Sequence, residues 1–220
     1  MAQIFHPSMN TFARVTIFGA VFFAIAIVGV AYTVLGSPYV TKQHEAINQP
    51  VQFSHEHHVS ALGLDCRYCH TSVETSSFAG IPPTETCMTC HSQIWRDSAI
   101  LEPVRQSLAT NQPIPWNRVH NLPAYAYFNH AVHLKKGVGC ASCHGRVDQM
   151  PLMEKDQPLT MEWCLSCHRE PEKHLRPGDK IFDMSWAAAS VKDQLEQGRE
   201  LIKMNHVPVH RLSDCSTCHR

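Results

Sequence analysis

From Val15 to Leu35 the chain reads VTIFGAVFFAIAIVGVAYTVL, 21 residues without a charge. As a helix rising about 1.5 Å per residue, this run spans about 31 Å, enough to cross a hydrocarbon core of about 30 Å. Arg14 closes it on one side and Gly36-Ser37-Pro38 on the other. The run exceeds the apolar stretch of about 7–15 residues in a cleaved signal peptide, and no A-x-A site follows it. An uncleaved membrane anchor is therefore expected. Beyond residue 37 the pattern changes. Trp186 to Met204 has helical apolar spacing at Val191, Leu195, Leu201 and Ile202, with Asp183 or Ser185 as N-cap. Gln93 to Ala109 reads as helix, interrupted near Pro103. Asn111 to Pro123 holds three prolines and reads as extended loop. No segment shows the alternation of a strand. The expected fold is mostly α with extensive loops: one N-terminal transmembrane helix, then a soluble domain.

The 220 residues carry 19 basic and 19 acidic side chains, a balance that gives no hint of a nucleic-acid partner. Cysteine and histidine change the picture. All 10 cysteines fall in five copies of Cys-x-x-Cys-His. The thiols are Cys66 and Cys69, Cys87 and Cys90, Cys140 and Cys143, Cys164 and Cys167, Cys215 and Cys218; the histidines are His70, His91, His144, His168 and His219. This is the attachment signature of a c-type haem: two thioethers to the porphyrin and a proximal imidazole on the iron. Zinc uses such pairs in twos or with a distant His pair, and five do not divide so. A thioredoxin-like pair would occur once, and a disulfide framework would not hold the two-residue spacing five times. Five covalently bound haem c groups are expected, with porphyrin forming much of the core and each motif on a short helix.

Eleven of the 16 histidines remain for the opposite faces of the irons. A repeat organises most of them. Phe53-Ser54-His55-Glu56-His57-His58 precedes the first two motifs, and Phe128-Asn129-His130-Ala131-Val132-His133 precedes the next two. The expected organisation is a cytoplasmic tail and anchor at 1–36 and a periplasmic haem domain at 37–220. Within the domain lie repeat units at about 53–91 and 128–168, and a fifth haem at 206–219. Arg14 on the short N-terminal flank favours the cytoplasmic side for that end. Haem attachment outside the bacterial cytoplasmic membrane requires the rest to be translocated. Filled axial positions favour electron transfer over catalysis, and no other catalytic motif is visible.

F-x-H-x-x-H ahead of C-x-x-C-H resembles the class III multihaem cytochromes c. The resemblance implies that His55 ligates the haem at Cys66/Cys69, and His58 that at Cys87/Cys90 or a neighbour. By the repeat, His130 serves Cys140/Cys143 and His133 serves Cys164/Cys167 or a neighbour. For the fifth haem the residues offer His206 first, with His210, His120 and His174 as alternates; Met161, three residues ahead of Cys164, offers a His/Met pair, which would raise the fourth haem's potential. His57 lies off the repeat, as a solvated side chain or a propionate partner, and His6 and His44 flank the anchor.

The whole chain, with segments such as WNRVHNLPAYAYFNHAVHLKKGVGCASCHG and LTMEWCLSCHREPEKHLRP, is similar to the pentahaem cytochrome c subunit of bacterial alternative complex III. That resemblance implies a non-catalytic subunit of a quinol:acceptor oxidoreductase in the bacterial cytoplasmic membrane. Its partners would be an integral membrane quinol-binding subunit, an iron–sulfur subunit, and a monohaem cytochrome c or terminal oxidase. Two other readings fit the same residues: an anchored cytochrome that oxidises quinol directly, and a reductase with one five-coordinate haem.

Overall fold

The computed structural model describes residues 4–219. The chain divides into two units, residues 1–42 and 43–220. The first is built on helix α1, Ser8–Leu35, none of whose residues is buried. It starts seven residues before the uncharged run, because nothing between Ser8 and Arg14 breaks a helix, and Gly36 caps its end. Its length and composition suit a membrane crossing. A one-turn helix α2, Pro38–Thr41, follows, with Pro38 at its first position.

The second unit is made of short helices and loops, with no strand among the described residues; three isolated bridges are the only ladder-like pairings there. A π-helical turn spans Glu56–Ala61. Helices α3 (Cys66–Cys69) and α4 (Thr84–His91) carry the first two cysteine motifs. Helices α5 (Glu102–Thr110) and α6 (His130–Lys135) follow, then α7 (Ala141–His144) and α8 (Met161–Arg169), which carry the third and fourth motifs. Helix α9, Val191–Met204, precedes α10, Cys215–Cys218, on the fifth motif.

Two expected boundaries move. Pro103 does not interrupt a helix; it sits in the first turn of α5, where its missing N–H costs nothing. Residues 92–97 form turns instead. Helix α9 starts at Val191 with Ser190 as N-cap, its hydroxyl accepting from the Asp193 N–H at 3.1 Å. Asp183 and Ser185 bond each other in a local turn, so neither is free to cap.

Buried apolar side chains form small clusters rather than one core. Val51, Leu101 and Val104 gather against Cys87, Met88, Ile114 and Trp116. Val73, Leu134 and Ile181 form a second group. Between them runs a continuous cleft of about 3050 Å³, against roughly 300–1,000 Å³ for a pocket that takes one small ligand. All ten cysteines line it: Cys66, Cys69, Cys87, Cys90, Cys140, Cys143, Cys164, Cys167, Cys215 and Cys218.

Candidate haem-binding site

The two F-x-H-x-x-H segments reach the same arrangement by different local structures, a π-helical turn in the first and helix α6 in the second. Phe53 stands edge-on to His55, with centroids 4.9 Å apart, and stacks on His58 at 4.4 Å. Phe128 does the same to His130 at 4.8 Å and His133 at 4.3 Å. The rings' polar edges are set by main-chain carbonyls. Nδ1 of His58 lies 2.8 Å from the Ser54 oxygen, Nδ1 of His133 2.7 Å from that of Asn129, and Nδ1 of His130 3.0 Å from that of Ser77. A carbonyl only accepts, so each Nδ1 holds the proton and each Nε2 keeps its lone pair for a metal.

The motif histidines follow the same rule. Nδ1 of His70 donates to Gly80 at 2.7 Å, that of His91 to Ile94 at 3.0 Å, that of His168 to Leu212 at 2.9 Å and that of His219 to Tyr125 at 3.1 Å. Gly80 has φ +82, a left-handed conformation open to glycine, and this aims its carbonyl at His70. His144 differs: its Nδ1 meets the Nε2 of His120 at 3.2 Å.

The imidazoles meet in pairs across the cleft. Ring centroids are 6.2 Å apart for His58 and His91, 6.4 Å for His130 and His144, and 6.2 Å for His133 and His168. Two metal–nitrogen bonds of about 2 Å plus the half-width of each ring come to roughly 6 Å, so each pair is spaced to hold one iron. His55 approaches His70: burial first, and the charges of His70 and His58 next, push its pKa down to about 4. Burial above all also pushes His144 down to about 3, with His120, His130, His70 and His55 adding to the effect. Burial keeps these rings neutral, the state an iron ligand needs. Among the described residues no group of three or more His, Cys, Asp or Glu converges as a conventional ion site would.

Burial likewise raises the thiols, Cys140 to about 11 and Cys143 to about 12. They are held protonated in apolar surroundings, suited to a covalent fate more than to an anionic metal site. Among the described residues two buried polar side-chain atoms lack a partner, Nδ1 of His55 and Nε of Arg176. Arg176 is 7% exposed, faces no carboxylate within salt-bridge distance among the described residues, and lies with its guanidinium 5.0 Å from the Trp186 ring centroid. A buried cation of this kind calls for an anionic group from outside the chain, such as a porphyrin propionate. The other guanidinium nitrogens donate to the Asp183 main-chain oxygen at 3.1 Å and the Ser142 hydroxyl at 3.4 Å, so Nε alone is left for such a group. The donor set, the pair spacing and this unpartnered Nε all fit haem.

Chain contacts set the motifs in line. Tyr68 and Thr89 hydroxyls, inside the first and second motifs, meet at 2.9 Å. The Ser77 carbonyl, just past the first motif, accepts from both the backbone N–H and the ring of His130. Phe128 joins His130 to His133. His168 of the fourth motif bonds Leu212, three residues ahead of Cys215. The succession is second, first, third, fourth, fifth.

Of the sequence's candidates for the fifth iron, His174 and His120 line the cleft, as does Met161, the candidate beside the fourth motif. His206 and His210 are exposed and do not line it; His206 sits on the turn after α9 with φ +50. His120 is engaged by His144. His57 stacks on the exposed Trp95 at 5.9 Å. His44 lies 3.9 Å from Glu154, and His6 bonds Ser8. The residues that sequence reasoning missed are Arg176 and the carbonyl acceptors, which carry no local motif.

These features define a c-type cytochrome with several haems. Residues 33–112 match the class III cytochrome C family, and residues 126–220 match cytochrome c7 and related cytochrome c. The multiheme cytochrome c subunit of a menaquinone reductase from Nitratidesulfovibrio vulgaris is 31% identical over 185 residues, which cover 78% of this chain and 77% of that protein. A cytochrome c-552 from Porphyromonas gingivalis is 30% identical over 81 residues, 34% of this chain and 16% of that protein. The chain belongs to the family of multihaem cytochromes c that includes the Nitratidesulfovibrio subunit, and its cofactor is covalently bound haem c.

Proposed function

We propose that the chain binds five haems and serves as the electron-relay subunit of a membrane quinone/quinol oxidoreductase. The observation that carries this reading is the set of three imidazole pairs 6.2–6.4 Å apart in the cleft that all ten cysteines line. Haem c supplies a one-electron iron couple when bound. The chain's residues do the rest. Ten cysteines would fix the rings covalently, and His70, His91, His144, His168 and His219 would each hold an iron. His55, His58, His130 and His133 would supply further iron ligands, which would exclude a substrate and limit rearrangement on a change of charge. For the fifth motif the lining favours His174 over His206 and His210; Met161 as a ligand beside Cys164 would raise the fourth haem's potential.

Helix α1 acts as the anchor in this reading, with residues 1–36 as tail and membrane span and 37–220 on the periplasmic side. The partners are an integral membrane quinone-binding subunit, an iron–sulfur subunit, and a monohaem cytochrome c or terminal oxidase, as the resemblance to alternative complex III suggests. The Nitratidesulfovibrio relative is named as part of a menaquinone reductase, which favours electron flow toward quinone as a second reading of direction. The relay role is common to both.

The test is haem counting on the membrane-extracted protein by pyridine haemochrome and intact mass. Wild type is expected to carry five haems, and Cys140→Ser with Cys143→Ser to carry four. An unchanged count in the double variant would contradict the assignment.

A further inference from the structure

The five motif histidines are not held alike. Four send Nδ1 to a main-chain carbonyl: Gly80, Ile94, Leu212 and Tyr125. The fifth, His144, sends it to the side chain of His120, 24 positions upstream in an irregular segment. The two rings are T-shaped at 67° with centroids 4.3 Å apart. That is too close for an iron between them, which needs roughly 6 Å. His130 fits the axial role for His144, at 6.4 Å and with planes only 12° apart. With Nε2 of His144 turned to the iron, its Nδ1 is the donor and Nε2 of His120 the acceptor.

We propose that His120 is a positioning residue for the haem at Cys140/Cys143, fixing the orientation of His144 and strengthening it as a ligand. The inference rests on the haem reading above. An imidazole nitrogen is a stronger base than an amide oxygen, so it draws the Nδ1 proton further and leaves more electron density on Nε2. More density on the ligand favours the oxidised iron, so the third haem sits lower in potential than a carbonyl-held counterpart would. This haem is also the middle one in the succession of motifs, where a change in potential affects exchange between both halves.

The experiment uses the full chain extracted from membranes. Haem is counted first, then followed by spectroelectrochemical titration and electron paramagnetic resonance. His120→Leu is expected to keep five low-spin haems and move one midpoint to more positive potential. Loss of an outer-shell partner commonly costs at least tenfold; tenfold in the oxidised-to-reduced ratio is about 59 mV for one electron. His120→Gln, which keeps an acceptor of weaker basicity, is expected to move the same haem less. If His120→Leu does not accumulate, the glutamine variant decides by the same one-haem shift. Five unchanged midpoints and g-values would overturn the proposal. So would a high-spin haem in either variant, which would make His120 an axial ligand. A wild-type chain without haem at Cys140/Cys143 would overturn the underlying reading instead, and the haem count shows which has failed.

Discussion

At the scale of single residues, each imidazole depends on where its Nδ1 proton goes. His58, His130 and His133 give theirs to carbonyls of Ser54, Ser77 and Asn129, so their orientation is set by main chain. His130→Ala should therefore leave the protein folded with one of its haems five-coordinate. Optical and paramagnetic resonance spectra would then show a single high-spin haem, while an unchanged low-spin spectrum would remove His130 from the ligand set. The motif histidines and both F-x-H-x-x-H segments were legible in the sequence because each is a short-range pattern. Placement relative to the cleft was not legible: proximity to Cys215 favoured His206, which lies on an exposed turn, while His174 lines the cleft through contacts that spacing does not encode.

At the scale of elements, caps and close packing hold motif helices that are only one or two turns long. Asp65 caps α3 by accepting from the Arg67 N–H at 2.8 Å and also pairs with the Arg67 guanidinium. The side-chain bond to Arg67 is the main cause that holds the Asp65 pKa at about 2 against an ordinary 3.8. A carboxyl with a lowered folded-state pKa adds stability above its unfolded value and loses it as pH falls toward the folded one. The wild type should thus lose stability relative to Asp65→Asn between about pH 4 and pH 2. Because the pair is half exposed, the difference should stay under about 1 kcal/mol. Parallel acid denaturation curves for the two proteins would contradict this.

Helix α9 packs against the turn Pro171–Lys173 through Gly198, where an added Cβ would lie 2.0 Å from the Glu172 oxygen. Alanine is the better helix former by about 1 kcal/mol, but overpacking costs about 1–3 kcal/mol. Gly198→Ala should lower the Tm, and a raised Tm would show that the contact yields. Apolar spacing forecast this helix but with the wrong start, because Asp183 and Ser185 satisfy each other. Pro103 misled in the same way, since a proline that breaks a helix interior also suits its first turn.

At the scale of the whole molecule, the chain places apolar residues in small clusters around one long cleft. Haem fills what side chains leave open, which is why the pattern of apolar positions forecast little tertiary structure beyond helix α1. The two outermost motifs in the succession, the second and the fifth, contain the exposed thiols Cys90 and Cys215. In the relay reading these ends are where partners exchange electrons.

The central claim is that paired imidazoles fill both axial positions along this cleft. Electron paramagnetic resonance of the oxidised, membrane-extracted protein tests it most directly. The account predicts low-spin ferric signals throughout. The near-perpendicular His58–His91 pair at 65° should give one strongly anisotropic species, and the near-parallel His130–His144 pair at 12° a rhombic one. A stoichiometric high-spin haem that binds an added small ligand in the wild-type protein would contradict the relay and point to a reductase.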